Sequence, residues 1–276
     1  MENITFITKT FERPYCVKRL VRSIIRKYPD AKILIADDSV KSCKQYFKRR
    51  DLYKNVKVFE LDNDCGLSAG RNFLVDKVET KYFVLLDDDF VFDDKSDIGR
   101  AIEILEEKGL DILGGYFRNY IYVRDIETFL KFLIQKANKH ETPGNYMGSI
   151  HFNENTKVLI VDYVRDRFPR YEDTDIVHNF FVAKTNSVKK HNRWDNDLKL
   201  QEHTPFFYSA KKNGLKVGFS NEFSVQHKPI VLKSYSKYRS RNYVKLFMEK
   251  NDIKKFIATY DDGGVVVREY GKENAM

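Results

Sequence analysis

The stretch Tyr82-Phe83-Val84-Leu85-Leu86-Asp87-Asp88-Asp89 runs from an unbroken apolar segment straight into three carboxylates. An apolar run of this length bounded by polar residues reads as a buried strand. A strand that stops in aspartates puts hard oxygen ligands at one edge of a sheet, which is where open α/β sheets hold their ligands. Side chains alternate along a strand, so the pattern places Asp87 and Asp89 on one side and Asp88 on the other. Two carboxylates on one side suit Mg²⁺ or Mn²⁺ beside a diphosphate, because both cations prefer oxygen. Taken alone, three aspartates also fit a plain acidic turn.

The flanking sequence extends the pattern. Ile4–Thr8 reads as a short strand, and Pro14 opens a helix whose apolar residues Val17, Leu20, Val21, Ile24 and Ile25 fall on one face. Lys32–Ala36 is a second strand ending in Asp37-Asp38, and Val56–Leu61 a third ending in Asn63-Asp64. Gly66–Val78 reads as a helix, as does the segment carrying Ile98, Ile102 and Leu105, closed by Gly109. Asp111–Phe117 is a fifth strand. This alternation predicts an α/β fold, with a mostly parallel, Rossmann-like central sheet and helices on both faces. Polar or acidic residues close four strands early in the chain, at Thr8-Lys9-Thr10, Asp37-Asp38, Asn63-Asp64 and Asp87–Asp89, so the carboxyl edge of the sheet reads as a nucleotide cleft.

Later segments are less regular. Ile126, Phe129, Leu130, Leu133 and Ile134 have helical spacing, and Thr142-Pro143-Gly144-Asn145 is a turn cluster. Val158–Val164 and Asn179–Ala183 read as strands, Glu202–Lys212 as a helix closed by Asn213-Gly214, and Lys216–Phe219 and Phe223–Gln226 as two further strands. From Ser234 the tail is basic and aromatic.

With 276 residues, 42 % hydrophobic, the chain can bury a large core. The net charge of +9 leaves nucleic acid, anionic membrane and anionic small molecules open as partners. No zinc-finger or RNA-recognition signature is present, so no nucleic acid is expected. Cys16, Cys43 and Cys65 have neither disulfide-framework nor metal spacing, which fits a reducing cytoplasmic setting. The amino terminus enters a strand at once, and no apolar run approaches a membrane span.

At this point the chain resembles a known group. It looks like a GT-A glycosyltransferase and is similar, more narrowly, to the β-1,4-N-acetylgalactosaminyltransferases that make ganglioside-type structures. The stretches that carry the resemblance are Ile33–Ser39, Gly66–Asn72, Thr80–Phe92, Asp111–Gly115, Asn179–Thr185, Trp194–His203, Gly214–Val217 and Val225–His227. The resemblance implies a glycosyltransferase domain over 1–232 and a basic, aromatic extension over 233–276 packed on or next to it.

The resemblance also implies roles for single residues. Thr8 and Thr10 would flank the base of a UDP-sugar, and Asp38 would accept from the uracil N–H. Gly66, Asp88 and Gly115 belong to the same donor site. Arg71 would bridge the diphosphate and the Asp87 region, since a guanidinium suits phosphate and carboxylate alike. Asp87 would contact the ribose or a metal-bound water. Asp89 and His227 would hold Mn²⁺ or Mg²⁺. Glu202 would be the base that takes the proton from the acceptor hydroxyl in an inverting transfer, with Asp195 and Asp197 as rivals. Asp175, Trp194 and His203 are candidates for acceptor contact.

The acceptor would be a glycan or lipid-linked glycan, in surface polysaccharide synthesis. The basic tail would make peripheral contact with an anionic membrane from the cytoplasmic side. A sugar-1-phosphate nucleotidyltransferase is the rival enzyme class, although no glycine-rich loop follows the first strand. A basic nucleic-acid-binding protein is the rival argued from charge alone.

Overall fold

The computed structural model describes residues 2–49, 51–120, 141–143, 146–165, 169–229 and 243–270. A strand β1 (Ile4–Thr10) leads into helix α1 (Pro14–Lys27), with Pro14 in the first turn. Strands β2 (Lys32–Asp37) and β3 (Val56–Glu60) follow, then helix α2 (Leu67–Lys77) and strand β4 (Tyr82–Asp87). β3, β2, β1 and β4 lie side by side in parallel. A two-residue strand β5 (Phe90–Val91), helix α3 (Ile98–Glu107) and strand β6 (Ile112–Tyr120) come next.

Beyond them lie β7 (Glu141–Pro143), β8 (Tyr146–Asn153), β9 (Val158–Arg165), β10 (Glu172–Thr174), β11 (Ile176–Val177) and β12 (Phe181–Lys184). Helices α4 (Thr185–His191) and α5 (His203–Lys212) precede β13 (Val217–His227). Helix α6 (Val244–Lys250) and strands β14 (Lys255–Tyr260) and β15 (Val265–Glu269) end the described chain. The main sheet runs β10-β13-β6-β12-β4-β1-β2-β3, with β5 on β13 and β7 on β6.

Alternation along the buried strands divides the core. Phe6, Val84 and Leu86 face Val17, Leu20, Val21 and Ile24 of α1 and Ala101, Ile104 and Leu105 of α3. Ile7, Phe83 and Leu85 face the opposite way, toward Leu74 and Val75 of α2 and Phe206 and Phe207 of α5. Helices therefore cover both faces of the sheet, as the alternation of elements predicts. Val17, Leu20, Val21 and Ile24 are fully buried, and each stabilises the α1 contact by about 1.5–3 kcal/mol.

The structure departs from the sequence reading in several places. The expected strands Lys216–Phe219 and Phe223–Gln226 are one strand, β13, with a bulge between Ser220 and Ser224 where it pairs with β6. The strand expected at Asn179–Ala183 begins at Phe181. The helix expected over Ile126–Ile134 lies outside the described residues, as do Gly144 and Asn145; Thr142 and Pro143 end β7. From Val244 the tail carries a helix and a hairpin. Its strand β14 pairs in parallel with β9 and completes a second sheet, ordered β11-β8-β9-β14-β15. Among the described residues, no helix is long and apolar enough to cross a membrane.

Candidate active site

The carboxyl ends of β1 and β4 open into a cavity of about 440 Å³. Its wall includes Asp87, Asp88 and Asp89, together with Glu202 and His203 from the start of α5 and His227 from the end of β13. The two-residue strand β5 is the local device that unites them. Phe90 pairs with His227 across the β5–β13 ladder, and the Lys228 N–H donates to the Asp89 carbonyl at 3.0 Å. His227 Nε2 consequently stands 3.5 Å from Asp89 Oδ1. Its other ring nitrogen, Nδ1, donates to Asn119 Oδ1 at 2.6 Å, and the rings of Phe90 and Phe117 flank the imidazole.

The three aspartates do not keep strand alternation. β4 ends at Asp87, and a turn carries the next two residues. The expectation that Asp88 points away from Asp89 is corrected by this turn: both carboxylates reach the same guanidinium, that of Arg13. Arg13 Nη1 donates to Asp89 Oδ2 at 2.9 Å, and Nη2 donates to Asp88 Oδ1. Asp88 also accepts from the Thr10 hydroxyl at 2.7 Å. Arg13 comes from the loop between β1 and α1, and the sequence reading missed it. Its signal was a basic residue directly after a strand end, in Phe11-Glu12-Arg13-Pro14.

A second guanidinium organises the opposite wall. Arg71, on α2, is 1 % exposed. Its Nη2 donates to Asp87 Oδ1 at 2.9 Å, and its Nη1 donates to Glu202 Oε1. Glu202 is 2 % exposed and precedes the first turn of α5. Burial raises the Glu202 carboxyl above its ordinary range, with Arg71 opposing. Burial likewise raises Asp88, again against an arginine, here Arg13. For Asp89, burial also pushes upward, but His227 and Arg13 outweigh it and hold the carboxyl below its usual value.

Asn179, ahead of β12, accepts from His203 Nδ1 at 2.7 Å and holds it against the same wall. In the sequence Lys9 was read only as part of a polar strand end and Asn179 only as the start of a matching stretch, and no site role was given to them or to Phe11, Tyr146 and His178. Lys9 sits in a buried strand, and a lysine in that setting is the signal that marks it.

Other candidates lie outside the cavity wall. Asp38 is buried, with Lys9 Nζ 2.6 Å from one oxygen and the Gly66 N–H donating to the other at 3.1 Å. Gly66 precedes α2 at φ +96°, a left-handed conformation that favours glycine. Thr8 is buried in β1. Gly115 is a packing position, because a Cβ there would meet Phe180 and Phe223 within 2.5 Å. Trp194 is 3 % exposed, stacked on Phe206, with the Arg71 guanidinium 5.8 Å from its ring. Asp175 pairs with Lys211 at 2.6 Å and accepts from the Ile150 N–H. Asp195 and Asp197 pair with Lys250.

The cavity can be tested for a divalent cation. Among the described residues, no group of three His, Cys, Asp or Glu side chains is arranged to hold one. Asp89 and His227 are a candidate pair of ligands, and Asp89 Oδ1 is buried without a hydrogen-bond partner. One carboxylate and one imidazole fit Mn²⁺ or Mg²⁺ when diphosphate oxygens and water supply the remaining positions.

A mostly parallel sheet with helices on both faces and an acid-lined cleft at its carboxyl edge fits the GT-A fold. The chain belongs to glycosyl transferase family 2, whose description matches residues 5–190. It is 30 % identical over 247 residues to the mouse Beta-1,4 N-acetylgalactosaminyltransferase 2, covering 86 % of this chain and 43 % of that protein. The chain thus spans less than half the length of that relative.

Among solved structures, S. aureus TarS 1-349 in complex with UDP-GlcNAc superposes with a TM-score of 0.60 at 16 % identity, covering 90 % of this chain and 64 % of that one. GalNAc-T7 with UDP, GalNAc and Mn²⁺ superposes with a TM-score of 0.59 at 13 % identity, covering 91 % of this chain and 54 % of that one. These two likenesses establish the fold.

Proposed function

We propose that this chain transfers a hexose or N-acetylhexosamine from a UDP-sugar to a glycan hydroxyl, with inversion at the anomeric carbon. The observation that carries this reading is the convergence of Asp89, His227 and Glu202, from three distant segments, on one cavity. Family membership supports the reaction class. The name of the mouse relative favours N-acetylgalactosamine as the sugar.

Asp89 and His227 would hold Mn²⁺ or Mg²⁺, which when bound neutralises charge on the departing diphosphate. Phe11 and Leu67 offer an apolar floor for the base. Lys9, anchored by Asp38, and Arg13 supply positive charge along the donor's path. Arg71 holds Asp87 and Glu202 at fixed positions. Glu202 accepts the proton of the attacking hydroxyl, and its raised pKa suits a group that must bind a proton in the transition state. Asp195 and Asp197, tied to Lys250 away from the cavity, are poor substitutes.

The acceptor is proposed to be a glycan or lipid-linked glycan. Peripheral contact with an anionic membrane rests on the charge of the Lys228–Lys255 segment.

A screen of UDP-sugars for manganese-dependent hydrolysis, and for protection against melting, tests the reading. The preferred donor should raise the melting temperature only with the metal present. No response to any UDP-sugar would sink it.

A further inference from the structure

Asp88 and Asp89 are 1 % and 5 % exposed. Two adjacent buried carboxylates are costly unless a cation accompanies them. Arg13 is that cation, with one guanidinium nitrogen on each carboxylate and its side chain 11 % exposed. Asp89 thus divides its oxygens: Oδ2 goes to Arg13, while Oδ1 faces His227 Nε2 without a hydrogen-bond partner. The carboxylate proposed to bind the metal is already paired with a permanently charged guanidinium.

We propose that Arg13 couples metal binding to donor binding: its charge disfavours a divalent cation alone at Asp89 and His227, and a diphosphate relieves that conflict. The inference rests on the proposed UDP-sugar reading of the cleft. Its logic is electrostatic. A dication and a guanidinium beside one carboxylate repel each other, and the repulsion is strong where water is excluded. A diphosphate adds the negative charge that lets both remain, or draws the guanidinium off Asp89 onto phosphate, which it suits equally well. In either case the cation and the nucleotide bind better together than apart. By reciprocity, the nucleotide raises the affinity for metal by the same factor as the metal raises the affinity for nucleotide.

The test uses the whole chain, with free Mn²⁺ followed by electron paramagnetic resonance, with and without UDP. Wild type should bind Mn²⁺ weakly alone and much more tightly with UDP. Arg13→Gln retains polar contact with the aspartates but drops the charge. It should bind Mn²⁺ alone about tenfold or more tightly than wild type, with a smaller gain from UDP. Arg13→Lys, which keeps the charge, should behave like wild type. Arg13→Met removes both charge and hydrogen bonds, and thermal unfolding checks that each variant is folded.

Affinity for Mn²⁺ alone that is unchanged or weaker in Arg13→Gln, in a folded protein, would overturn the proposal. So would a glutamine variant matched by the lysine variant. Failure of wild type to bind Mn²⁺ even with UDP is a different result, and it would overturn the reading of the cleft itself.

Discussion

Arg71 and Glu202, 131 residues apart in sequence, form an ion pair in which both side chains are almost wholly excluded from solvent. The same guanidinium also holds Asp87, so one residue of α2 ties the end of β4 to the start of α5. Breaking a buried pair by removing one partner leaves the other charge uncompensated. Arg71→Met is expected to lower the free energy of unfolding by about 3–5 kcal/mol, measured by urea denaturation. A loss under 1 kcal/mol would mean that the pair is not closed to water in solution.

Glu202→Gln keeps an oxygen for Arg71 to bond but removes the carboxylate proposed to accept the proton. Transfer should fall by about 10²–10⁴-fold, while UDP binding, read by calorimetry, stays within a few-fold of wild type. A variant that keeps its rate would move the base elsewhere in the cavity.

Asp89→Ala should abolish the manganese dependence of UDP binding, because it deletes one of the two side chains of the proposed cation site. The comparison is UDP affinity with Mn²⁺ and with a chelator. A variant whose two affinities still differ as they do in wild type would exclude Asp89 as a ligand.

Burial, reinforced by Arg71, holds His203 down at about 3 against an ordinary 6.5. Between those values the unfolded chain takes up a proton that the folded chain does not. This residue's contribution therefore makes stability fall as pH drops from 6.5 toward 3, by up to about 1.4 kcal/mol per pH unit. Above 6.5 both states are neutral and the contribution is flat. His203→Gln should remove that component, so the wild-type curve should be steeper than the variant's in this window. Parallel curves would show that His203 titrates normally when folded.

Gly115→Ala separates packing from donor binding. The added methyl would press on Phe180 and Phe223, so a loss of about 1–3 kcal/mol in stability is expected, with UDP affinity retained. Weaker UDP binding at unchanged stability would return Gly115 to the donor site.

The fold was legible where local physics decides it. Pro14 and the spacing of Val17, Leu20, Val21 and Ile24 mark α1, and the apolar run Tyr82–Leu86 marks β4. Asp89, Glu202 and His227 were legible from the resemblance, and the structure brings all three to one cavity. Arg13 and Asn179 were not, because their importance arises from contacts 75 or 76 residues away for Arg13, and 24 and 108 residues away for Asn179. The direction of Asp88 was misread because strand alternation was carried past the end of the strand. The hairpin β14–β15 was read only as a basic, aromatic tail, since its partner β9 lies about a hundred positions earlier.

The two-residue pairing of Phe90 with His227 has a consequence for biosynthesis. A ribosome that has translated through Asp89 must add 138 more residues before the imidazole exists. An amino-terminal half emerging first holds three acids at a strand end without the element that completes their pocket. The proposed capture of cation and nucleotide thus has to wait for the strand that carries His227.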